Sequence, residues 1–260
     1  MASSVAYKGA SIFITGCNRG VGLAIVKEIL SQPHSPKALF ATCRSLKSDA
    51  SKELRALAMK NPVLHLLELD VTNALQLEAV VEEVKTTLGD HGLNLLINNA
   101  GIYDLKNSEY GCASSTLDDV NRDLMMKVYE TNAVSPLMIV KAFLPLLQLA
   151  AKDVKCQPQA CIVNISSDDG SITLNAGGHY QYKCSKAALN MLTVSLSIDC
   201  AKDCITVVCI DPGWMKTDMG GKAAPMSLSD AIPVLVQLIG SLDMSKNGSF
   251  LQYNGKTLPW

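Results

Sequence analysis

The chain has 260 residues, 48% of them hydrophobic and 18% charged, with a formal net charge of −1 and a mean hydropathy of +0.18. That is enough apolar material for one large α/β domain or two small ones, and a charge so near zero gives no general attraction to nucleic acid or anionic membranes. No apolar run approaches the ~20 residues of a spanning helix, Pro145 interrupts the best candidate, and the Met1-Ala2-Ser3-Ser4 start lacks the basic-then-apolar order of a secretory signal, so a cytoplasmic chain without a membrane span is expected.

Ala10-Ser11-Ile12-Phe13-Ile14 is a short apolar run with β-branched residues, the pattern of a strand buried on both faces. It runs into Thr15-Gly16-Cys17-Asn18-Arg19-Gly20-Val21-Gly22, followed by a helical pattern from Leu23 to Leu30 that Pro33 stops. In that context glycines bind phosphate: the chain turns tightly, its backbone approaches a pyrophosphate, and the helix N-terminus adds free N–H groups and positive dipole. Gly16, Asn18, Arg19, Gly20, Val21 and Gly22 are the candidate cofactor contacts of this turn.

The second strand, Ala38–Cys43, ends at Arg44-Ser45. A fold specific for NAD usually places Asp or Glu at this edge to accept from the ribose 2′-hydroxyl. Arg44 stands there instead, with Arg19 inside the glycine turn, and two guanidiniums suit the additional 2′-phosphate of NADP. The third strand, Leu64–Leu69, closes at Asp70-Val71, where an adenine edge would lie. Leu77, Val80, Val81, Val84 and Leu88 then mark a helix capped by Thr72 or Asn73. His65 reads as a core or strand-edge residue without chemistry.

Leu93–Ile97 is the fourth strand and ends in Asn98-Asn99-Ala100-Gly101. Two adjacent amides at a strand's carboxyl end can tie neighbouring strands together and leave the backbone at Asn99, Ala100 and Gly101 free to pass a cofactor. Residues 102–116 are polar and aperiodic, a loop over the site mouth. Leu117 to Ala150 is one long helical pattern containing Asn132, Pro136 and Pro145. In an α-helix the N–H of residue 136 would bond the Asn132 carbonyl. Proline has none, so either that carbonyl accepts from a water or the helix simply kinks.

Gln159 to Val163 leads through Asn164-Ile165 to Ser166-Ser167, a buried strand ending in two hydroxyls that can hold a carbonyl or alcohol oxygen. A glycine-containing stretch then reaches Tyr180-Gln181-Tyr182-Lys183-Cys184-Ser185-Lys186. Tyr182 and Lys186 sit one helical turn apart on one face. A free phenol has a pKa of about 10, and an ammonium roughly 4–6 Å away is expected to lower it and make the phenol a usable acid or base. Tyr180 competes for that role, but the residue four beyond it is Cys184. Asp168 and Asp169 either meet the substrate or cap and solvate the turn. The helix continues to about Ala201.

Ile205–Ile210 is the sixth strand, stopped by Pro212-Gly213 at the carboxyl edge where open α/β sheets bind ligands. Pro212, Gly213, Met215 and Thr217 are candidate cofactor contacts, Thr217 bonding a carboxamide or capping the next helix. A helix near Ser229 to Leu242 and a strand Phe250–Tyr253 complete the alternation. With no repeats, low-complexity tracts or linkers, residues 1–260 read as a single α/β domain. Its expected form is a Rossmann-type, doubly wound, mostly parallel sheet with helices on both faces. Nine cysteines without a C-x-x-C pair, and four histidines without ligand spacing, read as reduced thiols and no metal site.

Together Thr15-Gly16…Gly20…Gly22, Asn98-Asn99-Ala100-Gly101, Asn132, Ser167, Tyr182…Lys186 and Pro212-Gly213 resemble the short-chain dehydrogenase/reductase family along the whole chain. The resemblance implies a catalytic tetrad of Asn132, Ser167, Tyr182 and Lys186. The serine would position a carbonyl, the tyrosine protonate it, and the lysine hold the nicotinamide ribose. The asparagine carbonyl would anchor a relay water. Asn18-Arg19-Gly20, Leu144-Pro145-Leu146-Leu147, Pro212-Gly213-Trp214, Thr217-Asp218-Met219-Gly220-Gly221 and the stretch Asn254 to Trp260 are similar to the Sniffer-like carbonyl reductases and C-factor proteins. That group implies NADPH-dependent reduction of a small aldehyde or ketone. Its rivals are a C-factor-like nucleotide-binding signalling protein with little turnover and an alcohol dehydrogenase working toward oxidation. The oligomeric state stays open, with a homodimer the assembly considered.

Overall fold

The computed structural model describes residues 7, 9–103, 116–152 and 160–260. Each expected apolar run is a strand: β1 (Ser11–Ile14), β2 (Ala38–Cys43), β3 (Leu64–Glu68), β4 (Leu95–Asn98), β5 (Cys161–Ile165), β6 (Thr206–Asp211) and β7 (Phe250–Gln252). They form one sheet in the order β3-β2-β1-β4-β5-β6-β7. Every neighbouring pair is parallel, so the sheet is wholly rather than mostly parallel.

The lack of polar alternation in these runs has a direct cause, because both faces of the sheet are covered. Ile12, Ile14, Leu95, Ile97 and Val163 face one core, with α1 (Gly20–Ser31), α2 (Lys52–Ala58) and α7 (Leu228–Gly240). The alternate residues Phe13, Leu96 and Ile162 face the other, with α3 (Ala74–Leu88), α5 (Ser135–Lys152) and α6 (Tyr180–Cys200). Asn73 rather than Thr72 caps α3, accepting from the Gln76 N–H at 3.1 Å. His65 stacks on Phe40 at 5.0 Å on the edge strand.

The Leu117 to Ala150 pattern divides. Thr116 and Asp119 form a capping box around a 3₁₀ turn, and Asn121 then caps α4 (Arg122–Tyr129). Glu130–Val134 is wound as a π turn before α5. The Ser135 N–H reaches back to the Glu130 carbonyl, and its hydroxyl donates to the same oxygen at 2.9 Å. The wider turn absorbs the missing Pro136 donor.

The expected interruption at Pro145 does not occur. Arg122–Lys152 is a continuous run of 31 helical residues, apolar and long enough by composition to cross a membrane, with half of its apolar window buried inside the protein. Ile139, Val140, Phe143 and Leu147 explain that apolarity, since they form the side packed against the sheet. The expected loop over 102–116 lies outside the described residues from 104 to 115.

Candidate active site

In this strand order β1 is followed on one side by β2 and on the other by β4, so the chain leaves the sheet in opposite directions at their carboxyl ends. A cleft of about 580 Å³ opens there, lined among others by Gly16, Arg19, Arg44, Asp70, Asn99 and Lys186. Gly16 takes φ +72°, and a Cβ on it would lie 2.9 Å from the Ala100 Cα; a Cβ on Gly22 would lie 2.3 Å from the Gly16 carbonyl oxygen. Only glycine leaves this cradle open. No side chain caps the start of α1, so its first N–H groups remain available to an anion.

The two amides at the end of β4 divide their work, and the Asn99 and Ala100 N–H groups beside them are tied to Thr15 rather than free. Asn98 Nδ2 donates to Asn164 Oδ1 at 2.9 Å, joining β4 to β5. Asn99 Nδ2 donates to the Thr15 and Gly16 carbonyls at 2.8 and 3.1 Å. In return Thr15 Oγ1 accepts from the Asn99 and Ala100 N–H groups at 3.0 and 2.9 Å. These bonds hold the cleft floor, and the cradle fits a dinucleotide phosphate.

Asn18, Gly20, Val21, Val71, Ala100, Gly101, Pro212 and Thr217 also line the cleft. Arg44 is exposed on its wall, and no ion pair engages it among the described residues. Arg19 pairs with Asp218 at 2.7 Å. Asp70 Oδ1 accepts from the Thr72 N–H and hydroxyl at 3.1 and 2.8 Å. Three expected contacts stand back from the wall. Ser45 Oγ accepts from the Lys47 N–H at 3.2 Å, Met215 is a core residue bridged to Met226, and Gly213 packs against Met226 Sδ. Thr217 Oγ1 accepts from the Gly220 N–H at 3.0 Å, so it caps its own turn.

The four expected reacting residues come together at one end of this cleft. Ser167 follows β5, and a 3₁₀ turn over Asp168–Gly170 seats it. That turn lies so close to α6 that a Cβ on Gly170 would sit 2.9 Å from the Lys186 backbone. Asn190 locks it, donating to the Gly170 carbonyl at 3.1 Å and accepting from Ser166 Oγ at 2.6 Å. Ser167 Oγ donates to Asp168 Oδ1 at 3.3 Å and accepts from the Asp169 N–H at 3.2 Å, and the hydroxyl lies near enough to the Tyr182 phenol to stabilise its ionised form. Lys186 Nζ donates to the Ile165 carbonyl at 2.8 Å. Asn132, fully buried, holds Ile102 from both sides: its Oδ1 accepts from the N–H at 2.8 Å and its Nδ2 donates to the carbonyl at 2.9 Å. The same Nδ2 donates to Ser185 Oγ at 3.0 Å.

The electrostatics depart from expectation. Burial raises the Tyr182 phenol above its ordinary value, the Asp169 carboxylate raises it further, and the Ser167 hydroxyl only partly opposes them. The expected lowering by Lys186 does not appear, and burial drives Lys186 itself down to about 8.

A sequence profile of the short chain dehydrogenase family matches residues 10–227. The chain belongs to that family. Among solved structures it is similar to the carbonyl reductase Sniffer of D. melanogaster, at 42% identity and a TM-score of 0.90 over 96% of this chain and 99% of that one. It is also similar to an NADPH-bound carbonyl reductase from chicken fatty liver, at 37% identity and a TM-score of 0.89 over 97% and 100%. The C-signal protein of Myxococcus xanthus is 35% identical over 169 residues, 65% of this chain and 93% of that protein. The short-chain dehydrogenase fold, a Rossmann-like parallel sheet with a nicotinamide cofactor, therefore frames the cleft.

Two residues of this short-chain dehydrogenase site escape a reading by motif. The Tyr103 ring meets Tyr182 edge-on at 4.8 Å, and its hydroxyl hydrogen-bonds His179 Nδ1. His179 adopts φ 49° at the start of α6. The sequence carried only one hint of it, a histidine directly after two glycines. Asp169 faces Lys183 at 3.5 Å, and Lys183 also donates to the Gly177 carbonyl at 2.7 Å.

Proposed function

We propose that the protein is an NADPH-dependent reductase of small aldehydes or ketones. The observation that carries this reading is the buried Tyr182 phenol at the end of the cleft, with Lys186 Nζ 5.5 Å from its ring centroid and the Ser167 hydroxyl nearby. A protonated phenol beside the substrate is the donor that a carbonyl reduction consumes.

In this reading Asn132, Ser167, Tyr182 and Lys186 form the reacting group. Ser167 donates to the carbonyl oxygen and fixes it against the phenol. Tyr182 delivers its proton to that oxygen as negative charge builds there. Lys186, tied to Ile165, keeps positive charge at the end of β5 and faces the ribose side of the cleft. Asn132 holds the Ile102 backbone and thereby the wall beside Tyr182. The bound nicotinamide supplies the hydride. Gly16, Gly20 and Gly22 admit the pyrophosphate, while Arg44, with Arg19, receives the 2′-phosphate. Buried, unpaired thiols at Cys17, Cys43, Cys161, Cys200 and Cys209 support a reducing, cytoplasmic setting.

NADPH oxidation against a panel of carbonyl compounds tests the reading. Steady turnover supports it, and its absence with retained NADPH binding would favour a non-catalytic nucleotide-binding role. The likeness to C-signal supports that second reading.

A further inference from the structure

Beyond β7 the chain stays on the edge of the sheet. Asn254 Oδ1 accepts from the Lys256 N–H at 3.1 Å and Gly255 takes φ +85°, so the chain reverses on a tight turn. It then runs antiparallel to β7, with Thr257 bridged to Leu251 and the Leu258 N–H donating to the Phe250 carbonyl at 2.8 Å. Pro259 has no N–H, so the ladder stops there. Leu258 is buried with Phe250 and Cys209, and the Trp260 ring stacks on Phe250 at 5.4 Å. These contacts fix residues 259–260 to the sheet edge.

The two carbonyls beyond the ladder serve a different part of the molecule. Ser171 Oγ donates to the Pro259 carbonyl at 2.8 Å. Thr173 donates twice to the Trp260 carbonyl, from its N–H at 2.9 Å and from its hydroxyl at 2.7 Å. Ser171 is only 2% exposed, and its Oγ also accepts from the Leu174 N–H at 3.1 Å. Its own N–H donates to the Asp168 carbonyl at 2.9 Å, and the Gly170 N–H donates to that of Ser167 at 2.9 Å. A path of hydrogen bonds therefore runs from the sheet edge through Ser171 into the turn that seats Ser167. Asn190 holds the same turn from α6.

The loop past Ser171 needs such an anchor. Residues 172–177 are exposed throughout, so apolar burial does not hold them. Among the described residues, the loop is fastened to the rest of the protein at Thr173 by the Trp260 carbonyl and at Asn175 and Gly177 by Lys183 Nζ. It joins the serine turn to the start of α6, which carries Tyr182.

We propose that residues 259–260 are a strap, and that Ser171 and Thr173 are positioning residues through which it holds the Ser167 hydroxyl and the loop leading to Tyr182 in their working arrangement. The proposal rests on the reductase reading above. None of these strap bonds reaches the glycine turn or Arg44, so the strap acts on the carbonyl end of the site and not on cofactor binding.

The test compares wild type with Ser171→Ala, Trp260→Ala, Thr173→Val and Thr173→Ser. Ser171→Ala leaves the Pro259 carbonyl without its donor and the Leu174 N–H without its acceptor. Trp260→Ala keeps the carbonyl and removes the ring that anchors it on Phe250. In both, kcat at saturating NADPH and carbonyl substrate should fall about 3–10-fold, the change that loss of one neutral hydrogen bond implies. The dissociation constant for NADPH should stay at its wild-type value. Thr173→Val should lose about 3-fold in kcat, and Thr173→Ser, which keeps the hydroxyl, should not. Thr173 is exposed, so this pair keeps the test falsifiable if Ser171→Ala does not fold. Hydrogen exchange reads the strap without turnover: in Trp260→Ala the Thr173 and Leu174 amides should exchange faster while those of β5 keep their protection. Wild-type kcat in Ser171→Ala and Trp260→Ala overturns the proposal, as does a loss in Thr173→Val that Thr173→Ser shares. Falls in kcat that come with equally weakened NADPH binding also overturn it, because they mark general loosening of the fold. A wild type that reduces no carbonyl compound removes the reductase reading instead. The strap then stands or falls on the exchange of Thr173 and Leu174.

Discussion

Lys186 Nζ lies 5.5 Å from the centroid of the Tyr182 ring and gives its hydrogen bond to the Ile165 carbonyl, at 2.8 Å. The ammonium is thereby fixed to the end of the strand that carries Ser167, and the phenol stays protonated in the free chain. Tyr182→Phe removes that proton and little else, since the ring keeps its edge contact with Tyr103. Turnover should fall at least about 10²-fold, with NADPH affinity, read by fluorescence titration, nearly unchanged. Tyr180→Phe is the control, because Tyr180 is 36% exposed and has Cys184 one turn on. Loss of activity in the control and retention in Tyr182→Phe would reverse the assignment.

Lys186 carries a stability signature of its own. Burial lowers it from 10.5 to about 8, so between those values the unfolded chain binds more protons than the folded one. Stability should rise with pH across that window, and the charged lysine weighs against the fold below it. Lys186→Met should therefore raise Tm near pH 7 and lose that advantage toward about pH 10, while abolishing turnover. Thermal unfolding of both proteins at the two pH values decides the point; equal Tm differences at both would show that the lysine is not desolvated.

The sheet was legible because strands covered on both faces leave unbroken apolar runs, and the two amides after β4 were legible because their neighbours in the sheet are fixed by its order. What escaped has equally physical causes. Residues Lys52–Ala58 form a seven-residue helix with only Leu54 fully buried, too short and too charged to show a face. The π turn at Glu130–Val134 depends on hydroxyls bonding backward, Thr131 Oγ1 to the Lys127 carbonyl and Ser135 Oγ to that of Glu130, both at 2.9 Å. Tyr103 and His179 are 76 residues apart in the chain, and only the fold brings Tyr103 to both His179 and Tyr182. The sign of the Tyr182 shift needs burial depth, which spacing along a helix does not supply.

Cofactor choice should follow Arg44 more than Arg19. Arg19 is exposed and already paired with Asp218, so a 2′-phosphate must compete for it. Arg44 has no such competitor among the described residues. Arg44→Asp should shift preference from NADPH toward NADH by about 10–150-fold, as loss of one charge-assisted contact of ~1.5–3 kcal/mol implies; Arg19→Ala should shift it less. Dissociation constants for both cofactors measure this, and a wild type that binds NADH as tightly as NADPH would refute the assignment of both arginines.

Asp169 was open between a substrate contact and a capping or solvated role. Its N–H donates to Ser167 Oγ at 3.2 Å, so its backbone builds the serine turn. Its carboxylate faces Lys183 at 3.5 Å with 36% of its side chain exposed, and Lys183 in turn holds Asn175 at 3.2 Å. A pair this exposed contributes about 0–1 kcal/mol, so its loss should cost little stability. The larger effect is electrostatic, because Asp169 is the second cause of the raised Tyr182 phenol, after burial. Asp169→Asn keeps the turn and removes the charge, which should lower the phenol toward its ordinary value and bring the basic limb of the reduction rate to lower pH. Carbonyl substrates with and without a hydrogen-bond donor should then change rate by the same factor, less than about 10-fold. A selective loss on donor-bearing substrates, with an unmoved basic limb, would instead make Asp169 a recognition residue, since a site that bonds its substrate loses discrimination when that partner is removed.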